Sequence, residues 1–245
     1  MGKDVNFLYG RNSVFERLKN KPATIRKVFL DDNFKDQRIV NLIKGAHLSI
    51  ELLSKKQIAW IKHAKDHQGI IAKVDAFEYK DFNKLLDDAS LVKNSVLLLD
   101  RINDPQNLGV IIRLAACFGR FSIIIPTHKA CPVNDTVLHV ASGGENYLDI
   151  AEVNNLNSAI FGLKKCGFWI GGTVVSEKAE SIFEKELPFP LALIMGSEGE
   201  GIRTGLIKEL DMQLHIPMQG AKLSLNVSIA TAIFCQEIAR QRAKE

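Results

Sequence analysis

The stretch S-V-L-L-L-D-R-I-N-D-P-Q-N-L-G-V-I-I-R-L-A-A-C-F-G-R-F-S-I-I-I, residues 95–125, decides the architecture. Residues 95–100 (SVLLLD) are an unbroken apolar run ahead of a loop, the pattern of a strand buried on both faces. Residues 101–107 (RINDPQN) carry turn chemistry: Pro105 fixes its own φ and biases Asp104 to an extended conformation. From Leu108 the apolar residues recur at helical spacing, with Val110, Ile111, Leu114, Ala115 and Phe118 on one face. Asn107 stands where a helix cap would be, and Gly119 suits the other end. A second apolar run, residues 121–125, follows at once.

The same rhythm continues outward. The spacing predicts a helix near 133–141, a strand at 148–153, a helix at 155–166 stopped by Gly167, and strands at 168–175 and 191–195. A short helix near 203–209, a strand at 212–216 and a final helix at 224–242 complete the chain. Apolar strands alternating with helices imply an α/β fold with a mostly parallel sheet covered on both faces. Ligands of such sheets sit outside the C-terminal strand ends, which directs attention to loops 101–107, 172–176, 196–202 and 217–223. Upstream, helices at 9–19, 36–46 and 55–64 alternate with strands at 25–30, 48–53 and 69–74, a small α/β unit. Residues 76–93 are more polar, without strand pattern, and read as a linker with some helix. The expected organisation is therefore 1–75, a linker at 76–93, and 94–245.

At 245 residues and 27.3 kDa, with 46% hydrophobic and 24% charged residues, the composition excludes a disordered, collagen-like or disulfide-framed chain. No apolar run approaches the roughly 20 residues needed to cross a bilayer. The opening MGKDVNFLYG lacks a signal pattern, and Asn6 stands where myristoylation of Gly2 would want Ser or Thr, so a cytoplasmic protein is expected. Cys117, Cys131, Cys166 and Cys235 form no CxxC pair and read as small buried hydrophobes. His63 and His67 lack companion ligands, so solvent exposure is expected of them and no metal is implied. Charge is uneven: 15 basic and 8 acidic residues at 1–75 give +7, whereas 76–93 carries −1 and 94–245 carries −2. A basic first segment attracts a polyanion such as nucleic acid, or is simply a solvated lysine-rich surface.

Residues 196–201 read GSEGEG. The absence of a following Lys-Ser/Thr excludes a P-loop, the glycine spacing is not GxGxxG, and Glu198 and Glu200 would repel phosphate. The loop suits a neutral or cationic ligand with hydroxyls, of which S-adenosylmethionine is one. Taken alone, the loop reads better as a tight turn with solvent-facing glutamates. Arg113, near the start of its helix, either reaches back over the strand ends or lies on the surface. In residues 216–226 (IPMQGAKLSLN), Ser224 or Asn226 could cap the last helix or aim polar groups at a ligand.

Three segments together resemble one family. D-P-Q-N-L-G-V-I-I-R (104–113), I-M-G-S-E-G-E-G-I (194–202) and I-P-M-Q-G-A-K-L-S-L-N-V-S (216–228) resemble, in order and spacing, the three motifs of the SpoU (TrmH-type) RNA ribose 2′-O-methyltransferases. G-R-N-S-V-F-E-R-L (10–18) and H-Q-G-I (67–70) resemble the N-terminal substrate-binding domain of the ribosomal RNA branch, whose bacterial members methylate a guanosine of 23S ribosomal RNA. One departure is Ser142-Gly143-Gly144, where relatives often have Ser-Ala-Gly.

The resemblance implies a catalytic SPOUT domain whose C-terminal chain is tucked into a trefoil knot, with S-adenosyl-L-methionine as cofactor. It also implies a homodimer with active sites at the subunit interface, and 23S ribosomal RNA as partner rather than DNA or membrane. Carried over by position, Thr173, Gly196, Ile216 and Leu225 are expected cofactor contacts, with Gly199, Ser224 and Asn226 close by. Arg113, Asn107 and Glu198 are the expected catalytic set, and Arg11, Asn12 and Arg17 the expected RNA contacts. The same motifs permit transfer RNA as substrate. A non-catalytic RNA-binding protein of this fold is disfavoured by the intact Asn107, Arg113, Glu198 and Asn226.

Overall fold

Residues 5–61, 66–197, 199–221 and 223–244 are described by the computed structural model, in which the chain divides into two units. The first unit comprises the chain up to Glu78 together with Val133–Tyr147. Its sheet has the order β1 (Val5–Tyr9), β4 (Ile70–Asp75), β2 (Ile25–Asp31), β3 (Ile50–Leu53), with β4 antiparallel to both neighbours and β2 parallel to β3. Helix α1 (Arg11–Asn20) packs on β1, β4 and α2 (Gln37–Gly45), burying Val14 and Leu18, while α2 buries Ile39 and Ile43. On the sheet, Ile71 packs instead with Ile58 of α3 (Lys55–Trp60). Helix α3 is started by a capping box of Ser54 and Gln57 and ends at Trp60; residues 62–64 of the expected 55–64 lie outside the described ones. Strand β1 was not among the predicted elements: only Leu8 of its five residues is fully buried, so the sequence shows little alternation.

Residues 133–147 complete this unit. Asn134 caps α6 (Asp135–Ala141), and Asp135 accepts from Asn6 Nδ2 (2.7 Å) and the Phe7 amide (3.0 Å). The His139 ring stacks on Tyr9 with centroids 4.0 Å apart, and its Nδ1 lies 2.9 Å from the Tyr9 carbonyl oxygen. Gly143 has φ +92°, and a Cβ there would sit 2.4 Å from that of Glu16. An alanine would collide with α1, which accounts for glycine at the position where the family often has alanine.

The second unit holds seven strands: β5 (Ser95–Asp100), β6 (Phe121–Pro126), β7 (Ile150–Val153), β8 (Trp169–Thr173), β9 (Glu180–Ser181), β10 (Leu191–Gly196) and β11 (Met212–His215). Their order is β7-β6-β5-β10-β8-β11-β9, and every pairing is parallel. All residues of β5 and β6 are buried, as their unbroken apolar runs require. Leu85 of α4 (Phe82–Leu91) and Ile160 of α7 (Leu156–Lys165) share a core with Val96, Leu98, Ile124 and Ile194. Helices α5 (Pro105–Phe118) and α9 (Val227–Arg242) pack against each other, and α8 is a single turn (Thr204–Ile207). Residues 79–93 belong to this unit, where Lys80 bridges Asp88 (2.6 Å) and Asp149 (3.1 Å).

The end of α9 is tied to the end of α5. Arg242, buried, donates to the carbonyls of Gly119 and Arg120 (both 2.7 Å) and to Ser95 Oγ (3.1 Å), satisfying acceptors at a helix terminus. Cys235 and Cys131 are buried, whereas Cys117 is exposed on α5, contrary to the expectation for all four. Burial pushes the Cys235 thiol up to about 12. Iodoacetamide applied to the native protein at pH 8 should label Cys117 and spare Cys235, read by peptide mass mapping. Equal labelling of both would contradict this packing.

Candidate active site

Because all seven strands of the second unit are parallel, their C-terminal ends share one edge. β5 and β10 are adjacent, with Asp100 registered against Gly196. From β5 the chain builds outward to β6 and β7, then returns to build the other half of the sheet beyond β10. The strand order therefore reverses at β5/β10, where an open α/β sheet leaves a crevice for a ligand.

The glycine loop leaves β10 at this point. A Cβ on Gly196 would lie 2.3 Å from the backbone carbon of Gly201, so the loop folds back on itself at a spacing only glycine permits. The fold-back is fixed by the Gly201 amide, which donates to the Ser197 carbonyl (3.0 Å). Gly199, exposed at the tip, has φ +86°. Glu198 lies outside the described residues. Asp100, wholly buried, accepts from the Arg203 amide (2.9 Å) and Arg203 Nε (2.7 Å). The Arg101 guanidinium meets the Glu200 carboxylate and donates to the Gly201 carbonyl (3.1 Å). Asp100, Arg101 and Arg203 were not among the expected site residues. Their one sequence signal was an ionisable residue at the end of a buried apolar strand.

Helix α5 begins earlier than predicted. Asp104 is its cap, accepting from the Gln106 amide (2.8 Å), and Pro105 occupies the first turn. Asn107 is thus inside the helix rather than at its cap. Its Oδ1 accepts from Asn226 Nδ2 (3.0 Å). Asn226 in turn caps α9, its Oδ1 accepting from the Ser228 amide (2.9 Å) and hydroxyl (2.5 Å). This contact joins the first and third motif segments, 119 residues apart. Ser224 is exposed and does not cap α9. Arg113 is exposed on α5, and its side chain makes no hydrogen bond or ion pair among the described residues.

Thr173, at the end of β8, donates from Oγ1 to the Ile194 carbonyl (3.3 Å), and Ile216 is half-buried just after β11. The loop that follows exposes large apolar side chains: Met218 is 49% exposed, Leu223 73% and Leu225 37%. The edge thus offers backbone groups, exposed apolar side chains and a glutamate already matched by arginine. The glycine loop itself fits an uncharged adenosine better than a phosphate, because its glycines lack the nucleotide-binding spacing and its Arg101 is already paired with Glu200. Among the described residues no group of three His, Cys, Asp or Glu side chains could hold a metal ion.

In the first unit, Arg11 and Asn12 are exposed at the start of α1. The Arg11 Nε donates to the Gln68 carbonyl (3.3 Å) and its guanidinium lies 5.3 Å from the Phe34 ring centre. Arg17 is placed differently from the expectation of an RNA contact. It is buried, donating from Nη2 to Glu145 Oε1 (3.1 Å) and from Nη1 to Thr24 Oγ1 (3.3 Å). Its position on α1 beside Leu18 turns it inward. His67 is likewise buried, its Nδ1 accepting from the Gly69 amide (2.9 Å), rather than solvent-exposed. His63 lies outside the described residues.

Residues 94–236 match the SpoU rRNA Methylase family, and residues 7–80 match the family of RNA 2′-O ribose methyltransferase substrate-binding domains. The chain is 35% identical to the 23S rRNA (guanosine-2′-O-)-methyltransferase RlmB of Coxiella burnetii, over 97% of this chain and 96% of that protein. It is 33% identical to an uncharacterized tRNA/rRNA methyltransferase of Synechocystis, over 97% of this chain but only 63% of that longer relative. The crystal structure of the SpoU methyltransferase AviRb from Streptomyces viridochromogenes, in complex with AdoMet, matches with a TM-score of 0.81. That match covers 98% of this chain and 92% of the other at 19% identity, a likeness of fold.

Proposed function

The chain belongs to the SpoU rRNA Methylase family, and on that premise we propose that it transfers a methyl group from S-adenosylmethionine to the ribose 2′-hydroxyl of a guanosine in 23S ribosomal RNA. The observation that carries this reading is the Asn107–Asn226 hydrogen bond, which brings the first motif to the third. S-adenosylmethionine supplies a methyl group made electrophilic by its own sulfonium charge. Thr173, Gly196, Ile216 and Leu225 would hold it, largely through backbone groups, with Gly199, Ser224 and Asn226 close by.

The remaining difficulty is the acceptor, since a ribose hydroxyl is a poor nucleophile until its proton leaves. Arg113 is effectively always protonated and is not a base. Its exposed guanidinium clamps the RNA phosphate and holds the hydroxyl in attack geometry, then stabilises charge developing on the oxygen. The proton passes to a phosphate oxygen or to water. Asn107, anchored by Asn226, holds the acceptor loop in place, and Glu198 organises the glycine loop.

The segment 1–75 serves RNA recognition, with Arg11 and Asn12 as contacts and its +7 charge drawing the phosphate backbone, while the unit of the seven-stranded sheet, which includes residues 79–93, serves catalysis. Arg17, being buried, supports that surface from within. Base choice comes from an unpaired, exposed nucleotide, because duplex RNA hides its base edges. Two copies pair through apolar side chains left exposed near the site, Leu223, Leu225 and Ile229 among them, so that each active site lies at the subunit interface. The C-terminal chain is threaded as a trefoil knot, and the enzyme acts in the cytoplasm.

Mapping of ribose methylation in RNA from cells with and without this protein tests the proposal. One guanosine of 23S ribosomal RNA should lose its methyl group when the protein is absent. Loss confined to transfer RNA would transfer the activity to that substrate. Unchanged maps, with no uptake of S-adenosylmethionine by the purified protein in calorimetry, would end it.

A further inference from the structure

Arg101 has a left-handed backbone, φ +61°, which side-chain-bearing residues rarely adopt. It stands directly after β5, at the point where the strand order reverses. Its side chain is mostly buried and turned toward the glycine loop. One guanidinium nitrogen pairs with Glu200, another donates to the Gly201 carbonyl (3.1 Å), and the buried Nε, without a hydrogen bond among the described residues, lies 3.8 Å from Asp100 Oδ2. A glycine would satisfy the backbone at 101 without strain, so the arginine stands there against local preference. Asp100 meanwhile holds Arg203, just beyond the loop.

We propose that Arg101 is a positioning residue, a latch that holds the Glu200–Gly201 end of the glycine loop against the end of β5. The last residue of β5 and the residue after it thus grip the loop at different points: Arg101 at Glu200–Gly201, Asp100 at Arg203. The residue after Arg101 begins the loop that leads to Asn107, so the latch sets the cofactor loop from the same point that launches the acceptor loop. The assignment of this loop to S-adenosylmethionine rests on the function proposed above; the latch itself does not.

The test compares the full-length protein with Arg101→Gly and Arg101→Lys. Amide hydrogen exchange is followed at Gly201, whose amide bonds to Ser197, and at Arg203, whose amide bonds to Asp100. In Arg101→Gly, exchange at Gly201 should accelerate about tenfold, the equivalent of one charge-assisted hydrogen bond, while Arg203 stays protected. The melting temperature should hold or rise, because glycine relieves the backbone, and Arg101→Lys should recover part of the protection at Gly201. In calorimetry the affinity for S-adenosylmethionine should fall by about tenfold in Arg101→Gly, with kcat at saturating cofactor changed less than about threefold. Unaltered exchange at Gly201 overturns the latch. Faster exchange at Gly201 in a protein whose wild type binds no S-adenosylmethionine keeps the latch and removes the function assigned to the loop.

Discussion

Replacing Arg113 by alanine should lower kcat for RNA methylation by about 10³-fold while leaving S-adenosylmethionine affinity within about twofold, because the side chain acts on the acceptor alone. Structural damage is not expected to contribute, since Arg113 is exposed and its side chain bonds to nothing among the described residues. Arg113→Lys separates two forms of the idea. Lysine keeps the charge but not the planar fork, so a loss of about 10²-fold supports two-pronged contact with phosphate and hydroxyl. Single-turnover rates with ribosomal RNA decide it, alongside calorimetry for the cofactor. Near-native turnover in the lysine variant would leave only a charge requirement, and activity retained in the alanine variant would remove Arg113 from the mechanism.

The second large effect concerns stability. Glu145→Ala should destabilise the first unit by about 3–5 kcal/mol, since it leaves the Arg17 guanidinium buried without its counter-charge. For a unit of this size that corresponds to a fall in melting temperature of more than about 10 °C. Burial pushes the Glu145 carboxyl above the usual carboxylate range, although Arg17 and Asn146 pull it down. Desolvation therefore outweighs the attraction of the partner. In addition, Arg17 Nε and Glu145 Oε2 are buried without hydrogen bonds among the described residues. Replacing both residues with apolar ones, as Arg17→Met with Glu145→Leu, should then recover most of the loss. Urea melts of the two single variants and the double variant measure the coupling, and a Glu145→Ala protein within about 1 kcal/mol of wild type would show the pair to be dispensable.

The catalytic half was legible because its physics is local. Strands buried on both faces announce themselves as runs such as SVLLLD, and the helices between them carry periodic apolar faces. Boundaries moved where capping chemistry had been misassigned: Asp104, not Asn107, caps α5, since Pro105 belongs in the first turn. The side chain of Asn107 meets Asn226 instead, a contact no local pattern could supply. Arg17 looked like a surface cation because arginines usually are. Only the arrival of Glu145, 128 residues later, makes its burial tolerable. Arg101 escaped notice for a related reason, since neither its φ nor its partner at Glu200 can be inferred from a loop composition.

Residues 133–147 have a practical consequence for anyone cutting this gene. The unit built on the N-terminal sheet is not encoded by one uninterrupted stretch. A transplant ending at Glu78 would strip Tyr9 of its stacked imidazole, Asp135 from Asn6 and Phe7, and Arg17 of its counterion. A fragment beginning at residue 94 would carry the orphaned insert with its adhesive side bare. Chimeras that exchange substrate specificity between such enzymes must move both pieces at once, with two extra splice points near 132 and 148.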